Sequence, residues 1–269
     1  RKNSKADSGI NALRNEVYDR CGKAGELSVG LFTLTAPTGV GKTVAMLHFA
    51  LRHCMQHGLN RIIVVLPFLT LAEQTELEYR KMLSGLRAYL KLALRWDSPV
   101  IITTSVRFFE SLFSANPGAC RKLHHIANSV VLFDESQSLP ASLAAPTVAA
   151  VNALCKKYRC TMVFSSATQP DFSALPQTSW HPLEILEDHP LFFEKMRRVT
   201  AQWRHELSLE QVAQEMCMEN NACCIVNLRR HARKLFELLQ TKDPNGEGLF
   251  FLTTDLCPGH RLEVVAEIK

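Results

Sequence analysis

The chain has 269 residues, 46% hydrophobic and 21% charged, with a net charge of +5 at neutral pH. That composition excludes a disordered chain and leaves room for one large domain or two smaller ones. The mild basicity, with a pI near 8.7, is compatible with a polyanionic partner without requiring one. Nine cysteines form neither a C-x-x-C pair nor a Cys/His zinc pattern. No apolar run approaches the ~20 residues of a membrane span, and no signal peptide is evident. The expected setting is the reducing cytoplasm, with no membrane association.

In chain order, Arg1 to Lys5 is polar and reads as a linker. Leu31–Thr35 reads as a strand, followed by the Gly-rich segment Ala36 to Thr43 and a helix from Val44 to Leu51 that stops before Gly58. Arg61–Leu66 is a buried strand ending at Pro67. A helix is expected over Leu71 to Leu83, a strand over Val100–Thr104 and a helix over Val106 to Phe113. Val130–Phe133 is a strand running into Asp134-Glu135. A helix from Ser142 to Leu154 and a strand from Thr161 to Ser165 follow. This alternation predicts a parallel sheet with helices on both faces.

The Pro-rich tract from Gln169 to about Phe193 reads as an interdomain crossing. A second series is then expected: strands at Val199 to His205, Ala222 to Val226 and Leu249 to Leu252, and helices at Leu209 to Met218, Arg229 to Leu239 and from Pro258 onward. The predicted fold class is α/β, a P-loop RecA-like lobe over 1–195 plus a partial second RecA-like lobe over 196–269, where the series breaks off in mid-domain.

Ala36-Pro37-Thr38-Gly39-Val40-Gly41-Lys42-Thr43 has the pattern of a phosphate-binding loop. Backbone N–H groups of Thr38, Gly39, Val40, Gly41, Lys42 and Thr43 would close around phosphate oxygens. The Lys42 ammonium would reach the β/γ-phosphates of ATP, and the Thr43 hydroxyl would ligate Mg²⁺. Asp134, at the carboxyl end of its strand, is placed to hold the same Mg²⁺, and Glu135 to orient or activate the attacking water. Ser166 and Thr168, in Ser165-Ser166-Ala167-Thr168, are candidate coupling residues, since small hydroxyls can exchange hydrogen-bond partners.

Pro67, Thr70, Thr103 and Thr104 follow strand ends on one face, where they could hold a single-stranded phosphate backbone; helix capping is the plainer alternative. Arg229 opens a basic helix that would touch phosphate or face solvent. Phe108 and Phe109 are better read as core than as base-stacking platforms. His124-His125 lacks carboxylates at ligand spacing, so no metal site is expected there.

In combination these motifs resemble superfamily 2 helicases. They resemble more closely the CRISPR-associated helicase–nuclease family of type I systems, with wording closest to subtype I-C. The likeness rests on Leu34 to Thr43, Trp96 to Thr104, Phe108 to Phe113, Cys120 to Ser129 leading into Asp134-Glu135-Ser136-Gln137, Ser166-Ala167-Thr168-Gln169-Pro170, Ile225-Val226-Asn227 and Leu252 to Arg261.

The resemblance implies an ATP- and Mg²⁺-dependent translocase on single-stranded DNA, with Lys42, Glu135 and Gln137 as catalytic residues, the last sensing the γ-phosphate. It also implies recruitment by an RNA-guided surveillance complex and an HD nuclease domain, fused or separate, in antiviral defence. An anti-CRISPR inhibitor is a further partner it allows. The sequence departs from the family in carrying no His-Asp nuclease motif and no Gln-x-x-Gly-Arg-x-x-Arg segment, and its stretch from Arg80 to Trp96 is short. Two other readings stand beside this one: a DEAD-box-like RNA helicase, which Asp-Glu-Ser-Gln in place of Asp-Glu-Ala-Asp argues against, and an incomplete ATPase scaffold that docks a protein.

Overall fold

The computed structural model describes residues 9–68, 75–76, 79, 82, 90–91, 96, 98–115, 117–175, 178–242 and 248–268. Seven strands form one parallel sheet: β1 (Leu31–Thr35), β2 (Arg61–Leu66), β3 (Leu90–Lys91), β4 (Val100–Thr104), β5 (Ser129–Phe133), β6 (Thr161–Ser166) and β7 (Leu183–Glu184). Their spatial order is β3-β4-β2-β5-β6-β1-β7. β6 therefore lies between the strand that leads into the Gly-rich loop and the strand that leads into Asp134.

The strands are near-continuous apolar runs because both faces of the sheet are covered. Ile62, Val64, Val100, Ile102, Val130, Leu132 and Val163 point into one core, lined by helix α1 (Gly9–Ala24) and helix α2 (Lys42–His57). Their alternating neighbours Ile63, Val65, Ile101, Val131, Phe133, Met162 and Phe164 point into the other. That second core is covered by α3 (Ser105–Phe113) and α4 (Ala144–Tyr158) through Phe108, Phe109, Val148 and Val151. Phe133 stacks on Phe164 at 4.6 Å and meets the edge of Phe108 at 5.3 Å. These contacts, worth ~1 kcal/mol each beyond burial, fix the two strand ends that precede Asp134 and Ser165.

His53 joins three elements. Its Nδ1 donates to the Gly25 carbonyl at 2.9 Å, so its Nε2 is the acceptor for the Thr161 hydroxyl at 2.8 Å. The ring is fully buried, and burial pushes its pKa down to about 4.

Several expectations need correction. The tract from Gln169 to Phe193 is more than a crossing. It contributes β7, which pairs with β1, and helix α5 (His189–Lys195), whose Phe192 enters the first core. No expectation covered α1, whose Leu13, Val17 and Cys21 form a buried stripe at four-residue spacing, and the linker expected at Arg1 to Lys5 lies outside the described residues. The expected helix from Leu71 to Leu83 falls largely outside the described residues.

The chain divides into two compact units, Arg1–Arg198 and Val199–Lys269. The second contains helices α6 (Leu209–Met218), α7 (Arg229–Lys242) and α8 (Pro258–Ile268). A capping box between Ser208 and Gln211 starts α6, and Ala213 packs with Leu235 and Leu239 of α7. The strands expected at Val199 to His205, Ala222 to Val226 and Leu249 to Leu252 are not formed. These segments pair with no neighbour among the described residues, and Ile225 is 90% exposed. An apolar run becomes a strand only where another backbone takes its N–H and C=O groups. Among the described residues no helix is long and apolar enough to cross a membrane.

His53 makes the first unit acid-sensitive. An unfolded histidine binds its proton near pH 6.5, while the folded one does so near pH 4. The unfolded state thus binds more protons across that window, and stability falls as pH falls through it, by roughly 2–3 kcal/mol in all. His53→Gln should flatten the melting temperature between pH 6.5 and 4. A slope identical to that of the wild type would remove His53 as its cause.

Candidate nucleotide site

The loop after β1 is anchored before it bends. The Ala36 N–H donates to the Ser166 carbonyl at 3.1 Å, extending the β1–β6 ladder by one residue. Gly39 and Gly41 then take left-handed backbone conformations with φ of 81° and 88°, which residues bearing a Cβ adopt only under strain. The Val40 side chain is buried beneath the loop. Gly41 caps α2 without a side-chain hydrogen bond, and the first-turn N–H groups are of the kind that face an anion at a helix start. Thr38 is exposed at the loop's apex, and Thr43 is half-buried in the first turn of the helix.

Lys42 is 8% exposed. Its Nζ donates to the Ala36 carbonyl at 3.1 Å and the Pro37 carbonyl at 3.4 Å. Burial lowers its pKa, while the charges of Glu135 and Asp134 hold it up. Asp134 directly follows β5, and its N–H donates to the Val65 carbonyl at 3.0 Å. Burial, reinforced by Glu135, raises the Asp134 carboxyl to about 6. A half-buried carboxylate of this kind is short of a cation. Together with the Thr43 hydroxyl it fits a divalent metal bound to a triphosphate.

Glu135 is a non-glycine residue in left-handed conformation, with φ of 52°. Such strain costs on the order of 1 kcal/mol or more and persists only where the surroundings enforce it. Here it turns the Glu135 side chain toward Gln137. The Gln137 Nε2 donates to Glu135 Oε2 at 2.6 Å, and Gln137 Oε1 accepts from the Ser166 hydroxyl at 2.6 Å. Ser166 Oγ in turn accepts from the Thr168 N–H at 2.9 Å. Glu135, Gln137, Ser166 and Thr168 thus form one continuous chain of hydrogen bonds.

The residues expected to meet a nucleic-acid backbone fall in both units. Pro67 lines a small cleft with Ser105, Asp134 and Glu135 at the strand ends. Thr103 is buried, its side chain turned inward by the pleat. Thr104 caps α3, accepting from the Arg107 N–H at 3.4 Å. Thr70 lies outside the described residues. Phe108 and Phe109 are core. In the second unit, Arg229 pairs with Asp255 and lines a groove of about 750 Å³ with Arg230, Arg233 and Lys234.

Two further residues touch the loop and belong to no motif. Arg14 of α1 donates from Nε to the Gly39 carbonyl at 3.0 Å. Glu184 of β7 accepts from both the N–H and the hydroxyl of Thr35, at 3.0 and 2.6 Å. The buried stripe of α1 was the one sequence signal that could have led to Arg14. A two-residue strand such as β7 leaves none.

Asp134 carries a stability cost that can be measured. Its folded pKa near 6 lies above the ordinary 3.8, so between these values the folded state binds more protons and stability falls as pH rises. Without nucleotide and metal, Asp134→Asn should stabilise the protein by on the order of 2 kcal/mol at pH 7.5, a gain that vanishes below pH 4. Equal melting temperatures at pH 7.5 would contradict the cost.

Residues 23–175 match the family model described as DEAD/DEAH box helicase. No curated protein matches the chain. Among solved structures, T. fusca Cas3 with ADP aligns at a TM-score of 0.64 and 14% identity, over 95% of this chain and 39% of that one. T. fusca Cas3 with ATP aligns at 0.63 and 16%, over 98% and 38%. The DUF1998 helicase MrfA aligns at 0.57 and 14%, over 99% and 45%. At these identities the likeness is one of fold, and the chain spans less than half of each of these proteins.

Proposed function

Because the chain belongs to the DEAD/DEAH box helicase family, we propose that it is the ATP-driven motor portion of a helicase that translocates on single-stranded DNA. The observation that carries this reading is the hydrogen-bond chain from Glu135 through Gln137 to Ser166 and Thr168. It links the acid placed to handle the attacking water with a loop at the sheet's rim.

In this reading Lys42 exchanges the carbonyls of Ala36 and Pro37 for phosphate oxygens of ATP, and the N–H groups from Thr38 to Thr43 cradle the phosphates. Thr43 and Asp134 would hold Mg²⁺, whose charge would offset that developing on the phosphoryl oxygens. Glu135 takes the proton of the attacking water. Gln137, already bonded to Glu135, senses whether a γ-phosphate is present and passes the difference to Ser166. Arg229 and its basic neighbours offer a sequence-independent contact to a phosphate backbone.

The fold shared with T. fusca Cas3 supports a narrower version, in which the whole protein is the helicase of a cytoplasmic type I CRISPR system of the subtype I-C kind. It would work with an HD nuclease domain and an RNA-guided surveillance complex. A second reading is a DEAD-box-like RNA helicase. Unwinding of DNA against RNA duplexes with single-stranded tails separates the two: only an RNA motor would draw on 2′-hydroxyl contacts.

In the intact protein, Glu135→Gln should bind ATP as the wild type does and lose turnover by at least about a hundredfold. Lys42→Ala should lose turnover with an unchanged melting temperature. ATP hydrolysis at the wild-type rate by either variant would remove that residue from the mechanism.

A further inference from the structure

Glu184 makes three hydrogen bonds at a place that no motif describes. One carboxylate oxygen accepts from the Thr35 N–H at 3.0 Å and from the Leu186 N–H at 3.1 Å. The other accepts from the Thr35 hydroxyl at 2.6 Å. Thr35 is the last residue of β1, directly before the loop that starts at Ala36. On the opposite edge the Ala36 N–H is held by the Ser166 carbonyl. The root of the loop is therefore gripped from both sides, by the β6 backbone and by a β7 carboxylate. Glu184 is the last residue of β7, and its side chain takes the place that a further residue's carbonyl would occupy in a longer strand.

We propose that Glu184 is a positioning residue for the nucleotide site. The inference rests on the ATP-binding reading given above. The two carbonyls that hold Lys42 belong to Ala36 and Pro37, the residues immediately after Thr35. Turning the Thr35 peptide swings both carbonyls and displaces the amine they hold. A root fixed before ligand arrives leaves less ordering to be done on binding. Bonds to an ionised acceptor are strong enough to impose that geometry.

Charge alone predicts the opposite of this role. Glu184 is an anion near a site for a polyanion, so removing it would favour nucleotide on electrostatic grounds. Weaker binding after its removal therefore identifies positioning rather than field.

The test is the affinity of the intact protein for a fluorescent ADP analogue with Mg²⁺, with melting temperatures measured in parallel. Glu184→Ala should weaken binding about tenfold, the scale of a lost charge-assisted hydrogen bond. Thr35→Val, which removes only the hydroxyl donor, should weaken it several-fold. The double variant should bind no worse than Glu184→Ala, because the two changes break one interaction. Glu184→Gln keeps an acceptor for the two N–H groups and should recover part of the loss. Arg20→Ala breaks the neighbouring Arg20–Asp188 pair on the same edge and should leave affinity unchanged. If Lys42→Ala has lost affinity while Glu184→Ala and Thr35→Val bind as tightly as wild type or tighter, the positioning role is overturned and the ATP reading stands. If wild type and Lys42→Ala bind alike, or neither binds, the ATP reading falls and takes this inference with it.

Discussion

Lys42 and Asp134 are ionisable groups withdrawn from water at the carboxyl ends of a parallel sheet, and among the described residues neither has a bonded counter-ion. The ammonium is bonded to backbone carbonyls and the carboxylate to a backbone N–H. Burial pulls both toward neutrality, the lysine downward and the aspartate upward. A site so arranged is electrostatically incomplete by itself. An anion at Lys42 and a cation at Asp134 would each restore a favoured charged form, and a metal–triphosphate brings both. The surrounding structure can be understood as what keeps these two groups buried and apart.

The sheet order does most of that. β6 lies between β1 and β5, so Ser166 is close to both the phosphate loop and the acids. Stacked Phe133 and Phe164 lock the ends of two neighbouring strands from one face. From the periphery, Arg14 reaches the outer carbonyl of the loop and Glu184 grips its root. The strained Glu135 backbone is stable in this frame because Gln137, itself bonded to Ser166, holds its side chain. Elements outside the motifs thus determine where Lys42, Asp134 and Glu135 stand.

How much of this can be read from the sequence depends on the kind of physical constraint. The five central strands are legible because a strand covered on both faces must be apolar throughout, as Ile62 to Leu66 and Val130 to Phe133 are. The loop is legible because its chemistry fixes residue types at fixed spacing from Gly39 to Thr43. Glu184 is not, because a carboxylate that binds three donors looks in sequence like any solvated glutamate, and the two residues of β7 carry no period. The apolar segments of the second unit mislead for a related reason. Ile225 and Phe250 have the composition of strand residues, but pairing belongs to the partner as much as to the segment. Alternation also sends Thr103 inward, while its neighbour Thr104 caps a helix.

The central claim is that the bonds from Glu135 through Gln137 to Ser166 carry information between the phosphate site and a nucleic-acid track. The most direct measurement is steady-state ATP hydrolysis by the intact protein, with and without single-stranded DNA, in wild type and in Gln137→Ala. The account predicts strong DNA stimulation in the wild type and little or none in the variant, whatever basal rate the variant retains. A variant stimulated as fully as the wild type would contradict it.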